Sequence, residues 1–234
     1  MSDQGARHKA ISRHRWQLSQ RHELRRWRDA SVLEHASAQM RASYLPFLQR
    51  YTRHLPADAE ILEIGCGPVC LSQLIDRGNK TYLDPLLDDF RRAYPGKLPE
   101  GKYLTAMAEE IPSPAHSFDC IVCLNTLGYV LNPELVLNEM ERVLKPTGVI
   151  IIGMTLFSGL EARWQYLLRH CWPSLGPEGR PYCYAHAGMR RSLARHFEVH
   201  VDRPVDGASR WLRCRWKHVF VCTHKGVSLV VPAA

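Results

Sequence analysis

The sequence predicts a doubly wound α/β fold: a mostly parallel seven-stranded sheet with an antiparallel terminal strand, N-terminal helices in front and a cap insertion behind. Three observations predict it. From Glu60 onward, short apolar runs alternate with helical segments, which is the sequence form of a parallel sheet covered on both faces. The first run passes directly into Gly65-Cys66-Gly67, a strand-to-helix turn with glycines where a ligand must approach the backbone. Two late runs, 197–201 and 219–223, sit close enough in sequence to pair as antiparallel strands through a short connection.

Taken in order, residues 15–28 carry Trp16, Gln20, Leu24 and Trp27 at spacings of four, four and three, which puts both tryptophans on one face of a helix. A second helix runs from Ser31, a suitable N-cap, to Arg53 and stops near Pro56. These helices form an N-terminal appendage over residues 1–56. Strands follow at 60–64, 79–83, 102–105, 118–124 and 148–154, with helices at 71–77, 86–93 and 133–144 between them, giving a core unit over 57–157. The stretch 164–184, rich in aromatic, Pro and Gly residues, reads as irregular, and 189–196 reads as a helix. A cap and substrate region therefore spans 158–196, and C-terminal strands over 197–234 complete the sheet.

At 234 residues, 45% hydrophobic and 23% charged, the chain has ordinary globular usage, which excludes disordered and fibrous classes. No apolar run approaches the roughly 20 residues of a membrane-spanning helix, so a cytoplasmic protein is expected. The Arg-rich, acid-poor N-terminus would also suit an organellar transit peptide. Eight cysteines are too few for a disulfide scaffold in a chain of this length. Cys120 and Cys123 lie three apart within a strand, where they point to opposite faces and do not converge on a metal; no metal site is expected.

Charge divides unevenly. Residues 1–56 hold 11 Lys+Arg against 4 Asp+Glu, 57–157 hold 8 against 14, and 158–234 hold 12 against 5, so an acidic middle of net −6 sits between two flanks of +7. Flanks folded over the middle would line one mouth with positive potential and favour an anionic substrate or surface; a solvated basic face is the plain alternative.

The turn Gly65-x-Gly67, followed by Asp84, would also suit a nicotinamide dinucleotide. Two features oppose that. The third glycine of the dinucleotide pattern is Cys70, and Glu63 stands just before the turn, where a carboxylate suits a cationic ligand better than a pyrophosphate. Further motifs follow in order: Tyr82-Leu83-Asp84-Pro85-Leu86-Leu87-Asp88, Glu109-Glu110-Ile111-Pro112, Phe118-Asp119-Cys120-Ile121-Val122 and Val143-Leu144-Lys145-Pro146-Thr147-Gly148. With Leu62-Glu63-Ile64-Gly65-Cys66-Gly67-Pro68, this series over about 100 residues resembles the class I methyltransferases that use S-adenosylmethionine, a family with a Rossmann-like sheet.

The resemblance implies S-adenosylmethionine as cofactor. It sets the Gly65, Cys66 and Gly67 backbone under the methionine moiety, with Glu63 organising the turn and the ammonium group. Asp84 would accept from both ribose hydroxyls, Leu83 and Pro85 would flank the adenosine, Ala108 and Glu109 would meet the adenine, and Leu124 and Asn125 would border the methionine and the reacting methyl. Met107, Tyr129 and Thr147 depart from the family's usual acidic residue, histidine and glycine. The fourth strand end, Cys123-Leu124-Asn125-Thr126, lacks both the Asn/Asp-Pro-Pro-aromatic turn of adenine and glutamine N-methyltransferases and the Pro-Cys of cytosine C5 enzymes.

The reading that results is O- or N-methylation of a small-molecule, sugar or lipid-linked, anionic acceptor. Tyr182, Tyr184 and His186, in a stretch resembling the His/Tyr-rich segment of glycan- and small-molecule-modifying relatives, are the candidates for base and substrate contact, with aromatic packing of the cap as the alternative. Two other readings stand beside it: an RNA methyltransferase gripping phosphates with basic flanks and stacking bases on Trp16, Trp27, Trp211 and Trp216, and a non-catalytic S-adenosylmethionine-binding or partner-binding module.

Overall fold

A computed structural model describes residues 10–171, 179–205 and 214–230. Two helices, α1 (Arg13–Trp27) and α2 (Ala30–Thr52), precede β1 (Glu60–Ile64), β2 (Asn79–Leu83), α3 (Leu87–Ala93), β3 (Lys102–Leu104), β4 (Phe118–Leu124), α4 (Pro133–Val143) and β5 (Leu144–Phe157). There follow α5 (Gly159–Cys171), the two-residue β6 (Tyr184–Ala185), α6 (His186–His196), β7 (Phe197–Pro204) and β8 (Arg215–His224).

The sheet order is β3-β2-β1-β4-β5-β8-β7, with β6 paired to β5 off this path. Strands β1 to β5 run parallel, while β8 is antiparallel to both β5 and β7. Chain order reverses between β1 and β4, so a crevice opens beyond their carboxyl ends; ligands of doubly wound sheets bind at this switch point.

The strands form where β-branched side chains, with Leu62, fill positions buried on both faces: Ile61, Leu62, Ile64, Ile121, Val122, Ile150, Ile151 and Ile152 are 0% exposed. Alternation sorts β4 between two cores: Cys123 joins the cluster under α4 and α6, and Cys120 joins the one under α2. Burial pushes both thiols up to about 12.

Departures from expectation have local causes. The helix expected at 71–77 is a 3-10 turn, Leu71–Leu74, because buried Ile75 must already be extended to feed β2. The N-cap of α2 is Asp29, whose Oδ1 accepts from the Ser31 amide at 2.9 Å and hydroxyl at 2.7 Å. The segment expected to be irregular, 164–184, begins inside α5, which is capped by Ser158 Oγ on the Glu161 amide at 3.2 Å. Its apolar residues Leu160, Trp164 and Leu167 are 84%, 59% and 54% exposed, so their helical spacing serves no core face.

Asp202 ties β7, β8 and α6 together. Its Oδ1 meets His186 Nε2 at 2.6 Å and His218 Nε2 at 2.7 Å, and its Oδ2 meets Arg190 Nε at 3.0 Å. Trp216 Nε1 donates to His218 Nδ1 at 3.2 Å, so the neutral His218 ring carries its hydrogen on Nε2 and donates it to Asp202. This His-Asp-His group has the ligand types of a metal site, yet hydrogen bonding accounts for it. Burial raises the Asp202 pKa, but hydrogen bonds from the two histidines outweigh burial and hold it low. Asp202→Ala is expected to strand buried His218 and to cost roughly 2–3 kcal/mol; a thermal melt should show Tm falling by about 5–10 °C.

Candidate cofactor and acceptor site

Beyond the carboxyl ends of β1 and β4 lies a cavity of about 480 Å³, within the range of small-molecule sites. Its floor is the turn after β1. Gly65 and Gly67 have φ of +67° and +54°, which exposes backbone that a side chain would cover. A Cβ on Gly65 would stand 2.2 Å from Thr126, whose hydroxyl donates to Ile64 O at 3.0 Å, so the ends of β1 and β4 are locked together.

Glu63 holds the turn from below. It is 1% exposed, and its carboxylate accepts from the Leu71 amide at 3.0 Å, the Ser72 amide at 2.8 Å and the Ser72 hydroxyl at 2.6 Å. Burial raises its pKa to about 7 against those bonds. It does not line the cavity, so of its two implied roles the structure gives geometry for the turn and none for the ammonium group.

Asp84 follows β2 and does line the cavity. Gly67 N donates to its Oδ2 at 3.0 Å and Leu86 N to its Oδ1 at 2.9 Å, which fixes the carboxylate while leaving each oxygen a second lone pair. Burial lifts its pKa to about 6, opposed by those amides. Leu83, Pro85, Ala108, Glu109, Leu124, Asn125 and Cys66 complete this wall. Glu109 has a structural duty as well: its Oε1 accepts from Leu131 N at 2.5 Å and Asn132 N at 2.8 Å, before α4. Asn125, at φ +56°, accepts from the Tyr44 hydroxyl at 3.1 Å.

The opposite wall comes largely from outside the core. Trp16, Gln20, Glu23, Arg26 and Trp27 of α1 line it, with Phe157, Arg180, Tyr129, Arg215, Trp216 and Lys217. Gln20 Nε2 donates to Tyr129 O at 3.1 Å, and the Arg180 guanidinium lies 5.2 Å from the Tyr129 ring centre. The tryptophan spacing in α1 was the sequence signal for this wall. Charge alone did not single out Glu23, Arg180 or Lys217. Trp16, Trp27 and Trp216 thus face a cavity, and Trp211 lies outside the described residues.

The three candidate catalytic residues do not join this wall. Pairing of β6 with β5, Leu156 opposite Tyr184, carries them to the α4 and α6 side. The Tyr182 hydroxyl donates to Leu131 O at 2.9 Å and the buried Tyr184 hydroxyl to Leu127 O at 2.8 Å. Burial pushes Tyr182 up to about 12 and Tyr184 higher. His186 is engaged with Asp202. None of the three lines the cavity: the two tyrosine hydroxyls are held on backbone carbonyls, and His186 is held on Asp202.

Comparison with known proteins agrees with this architecture. Residues 62–152 match a family model described as a methyltransferase domain. A ubiquinone/menaquinone biosynthesis C-methyltransferase of Cronobacter sakazakii is 31% identical over 105 residues, which cover 44% of this chain and 40% of that protein. The chain spans about half or less of the length of the first curated relatives it matches. A [4+2]-cyclase structure superposes with a TM-score of 0.65 at 15% identity, covering 96% of this chain and all of the other. The geranyl diphosphate C-methyltransferase of Streptomyces coelicolor, solved with S-adenosyl-L-homocysteine, superposes at 0.60 and 11% identity, covering 80% and 81%. These structures share the fold. The centre of the chain, residues 62–152, therefore matches a methyltransferase domain, set in a sheet with the fold of these solved structures.

Proposed function

We propose that the chain transfers the methyl group of S-adenosylmethionine to a hydroxyl or amine of a small acceptor that joins an apolar body to an anionic group. One observation carries this reading: a single cavity runs from the Asp84 wall to a wall combining Trp16, Trp27 and Trp216 with Arg26, Arg180, Arg215 and Lys217. The first wall fits the cofactor. Asp84 offers two fixed acceptors for ribose hydroxyls, and Gly65 to Gly67 leave backbone bare for the methionine end. The second wall offers ring faces for an apolar body and cations for its charge.

When bound, the sulfonium supplies an activated methyl with a good leaving group. The chain must then align the acceptor, exclude water and take up a proton. In this reading residues 57–157 hold the cofactor, residues 1–56 and 158–196 close over the acceptor, and 197–234 complete the sheet. Among the described residues no helix is long and apolar enough to cross a membrane.

Calorimetry is the first test. S-adenosylhomocysteine should bind in the micromolar range and NAD at least 100-fold more weakly, since nothing on the turn replaces the missing third glycine. Tighter binding of NAD overturns the cofactor assignment. Binding without turnover on a broad panel of hydroxyl and amine acceptors identifies a silent module instead.

A further inference from the structure

We propose that Glu23, on α1, is the proton acceptor of the acceptor site. Glu23 is 8% exposed and lines the cavity, and its Oε1 is buried with no hydrogen-bond partner among the described residues. The nearest cations stand off: His22 Nδ1 is 3.7 Å from Oε1 and Arg26 NH1 3.7 Å from Oε2, beyond hydrogen-bond length. Keeping a carboxylate oxygen buried and without a hydrogen bond costs stability, and a group held at that cost inside a cavity is suited to meet a ligand.

The other carboxylates of the cavity wall are committed. Asp84 accepts from Gly67 and Leu86, and Glu109 caps the approach to α4. The Tyr129 hydroxyl accepts from Arg180 NH2 at 3.4 Å, and burial raises its pKa, so it is a poor base. The Gln20 bond to Tyr129 O brings this turn of α1 against the residues that follow Leu124 and Asn125, the segment assigned to the methyl.

This inference rests on the methyl-transfer reading. An acceptor hydroxyl gives its proton to Glu23 as its oxygen bonds to the methyl carbon. The carbon–sulfur pair stays on sulfur, the neutral thioether results, and the proton passes from Glu23 to solvent. Burial raises the Glu23 pKa, opposed by Arg26 and His22 on its own helix and by Arg180 from the cap. That moves a carboxylate toward the pH at which a base is effective. Turnover should therefore rise with pH through the raised pKa and level off above it.

The test uses the full chain, E23Q and E23D. Sinefungin carries an ammonium where the cofactor carries its methyl, so calorimetry should find it tighter than S-adenosylhomocysteine on the native chain. E23Q should lose that preference by about tenfold with its S-adenosylhomocysteine affinity unchanged. With 3,4-dihydroxybenzoate as acceptor, E23Q should lose roughly 10²–10⁴-fold in kcat together with the pH dependence, and E23D should recover part of both. An intact sinefungin preference in E23Q, or its loss with full turnover, overturns the inference. No turnover by the native chain counts against the acceptor class in "Proposed function" and leaves Glu23 to be decided by the sinefungin comparison. Folding is checked by the melt, where removing a desolvated charge should leave Tm unchanged or raise it.

Discussion

Asp84→Ala is expected to weaken S-adenosylhomocysteine binding by roughly 10²–10⁴-fold, the equivalent of two charge-assisted hydrogen bonds at about 1.5–3 kcal/mol each. The carboxylate is fixed by the Gly67 and Leu86 amides before any ligand arrives, so little ordering remains to be done on binding. Unfolding does not explain such a loss. The Asp84 pKa is raised to about 6 from 3.8, so the empty native state holds this proton more tightly than the unfolded chain. The stability linked to that proton is present below about pH 4 and is lost as pH rises through 6. Ionised Asp84 therefore strains the empty fold at pH 7, and alanine relieves that strain while losing two amide partners. Binding has the opposite pH sign. Acceptance from both ribose hydroxyls requires the carboxylate, so native affinity should fall as pH drops below about 6, whereas Asp84→Asn should be weak and flat with pH. An unchanged dissociation constant in Asp84→Ala, measured by calorimetry, removes the ribose from this position.

What could be read in the sequence was whatever local chemistry determines. β1, β2 and β4 occupy the residues expected because each ends in buried residues followed at once by a break, at Gly, Asp-Pro or Asn. Every residue assigned to the cofactor except Glu63 lines the cavity, because the turn and the strand ends are fixed by short-range geometry. The acceptor side was less legible, since its walls come from residues far apart in sequence. Whether Tyr184 points at the cavity or at Leu127 depends on β6 pairing with β5, and a two-residue strand leaves no periodic signal. α5 escaped notice because its regularly spaced apolar residues are exposed and its composition resembles a loop. Glu23 was hidden for the converse reason: a carboxylate on an Arg-rich helix reads as a solvated partner, and only tertiary packing buries it.

On the proposed function, that burial makes α1 the decisive element for transfer. Deleting residues 1–28 is expected to leave S-adenosylhomocysteine affinity within about tenfold and to reduce turnover by at least 10³-fold, because positioning and water exclusion supply barrier lowering of that order. The two effects separate because the two walls are held independently. Thr126 and Glu63 hold Gly65 to Gly67, and amides hold Asp84, without help from α1. The acceptor wall, by contrast, loses Trp16, Gln20, Glu23, Arg26 and Trp27 together. α1 is tied to the rest through Ile11 N on Leu131 O at 3.1 Å, Gln20 on Tyr129 O, and the Tyr94 hydroxyl on Trp27 O. Gly179 also packs against His22, where a Cβ would come within 2.7 Å of the ring. The helix and the cap segment at Arg180 therefore meet over one opening, and removing the helix leaves the cap without its facing surface. An RNA-binding role predicts a different result, in which deletion chiefly lowers a salt-sensitive RNA affinity with a slope set by the lost phosphate contacts. Full acceptor turnover by the shortened chain would show that α1 closes nothing, and strong salt-dependent RNA binding by the intact chain would move the basic flanks from the acceptor to a nucleic acid.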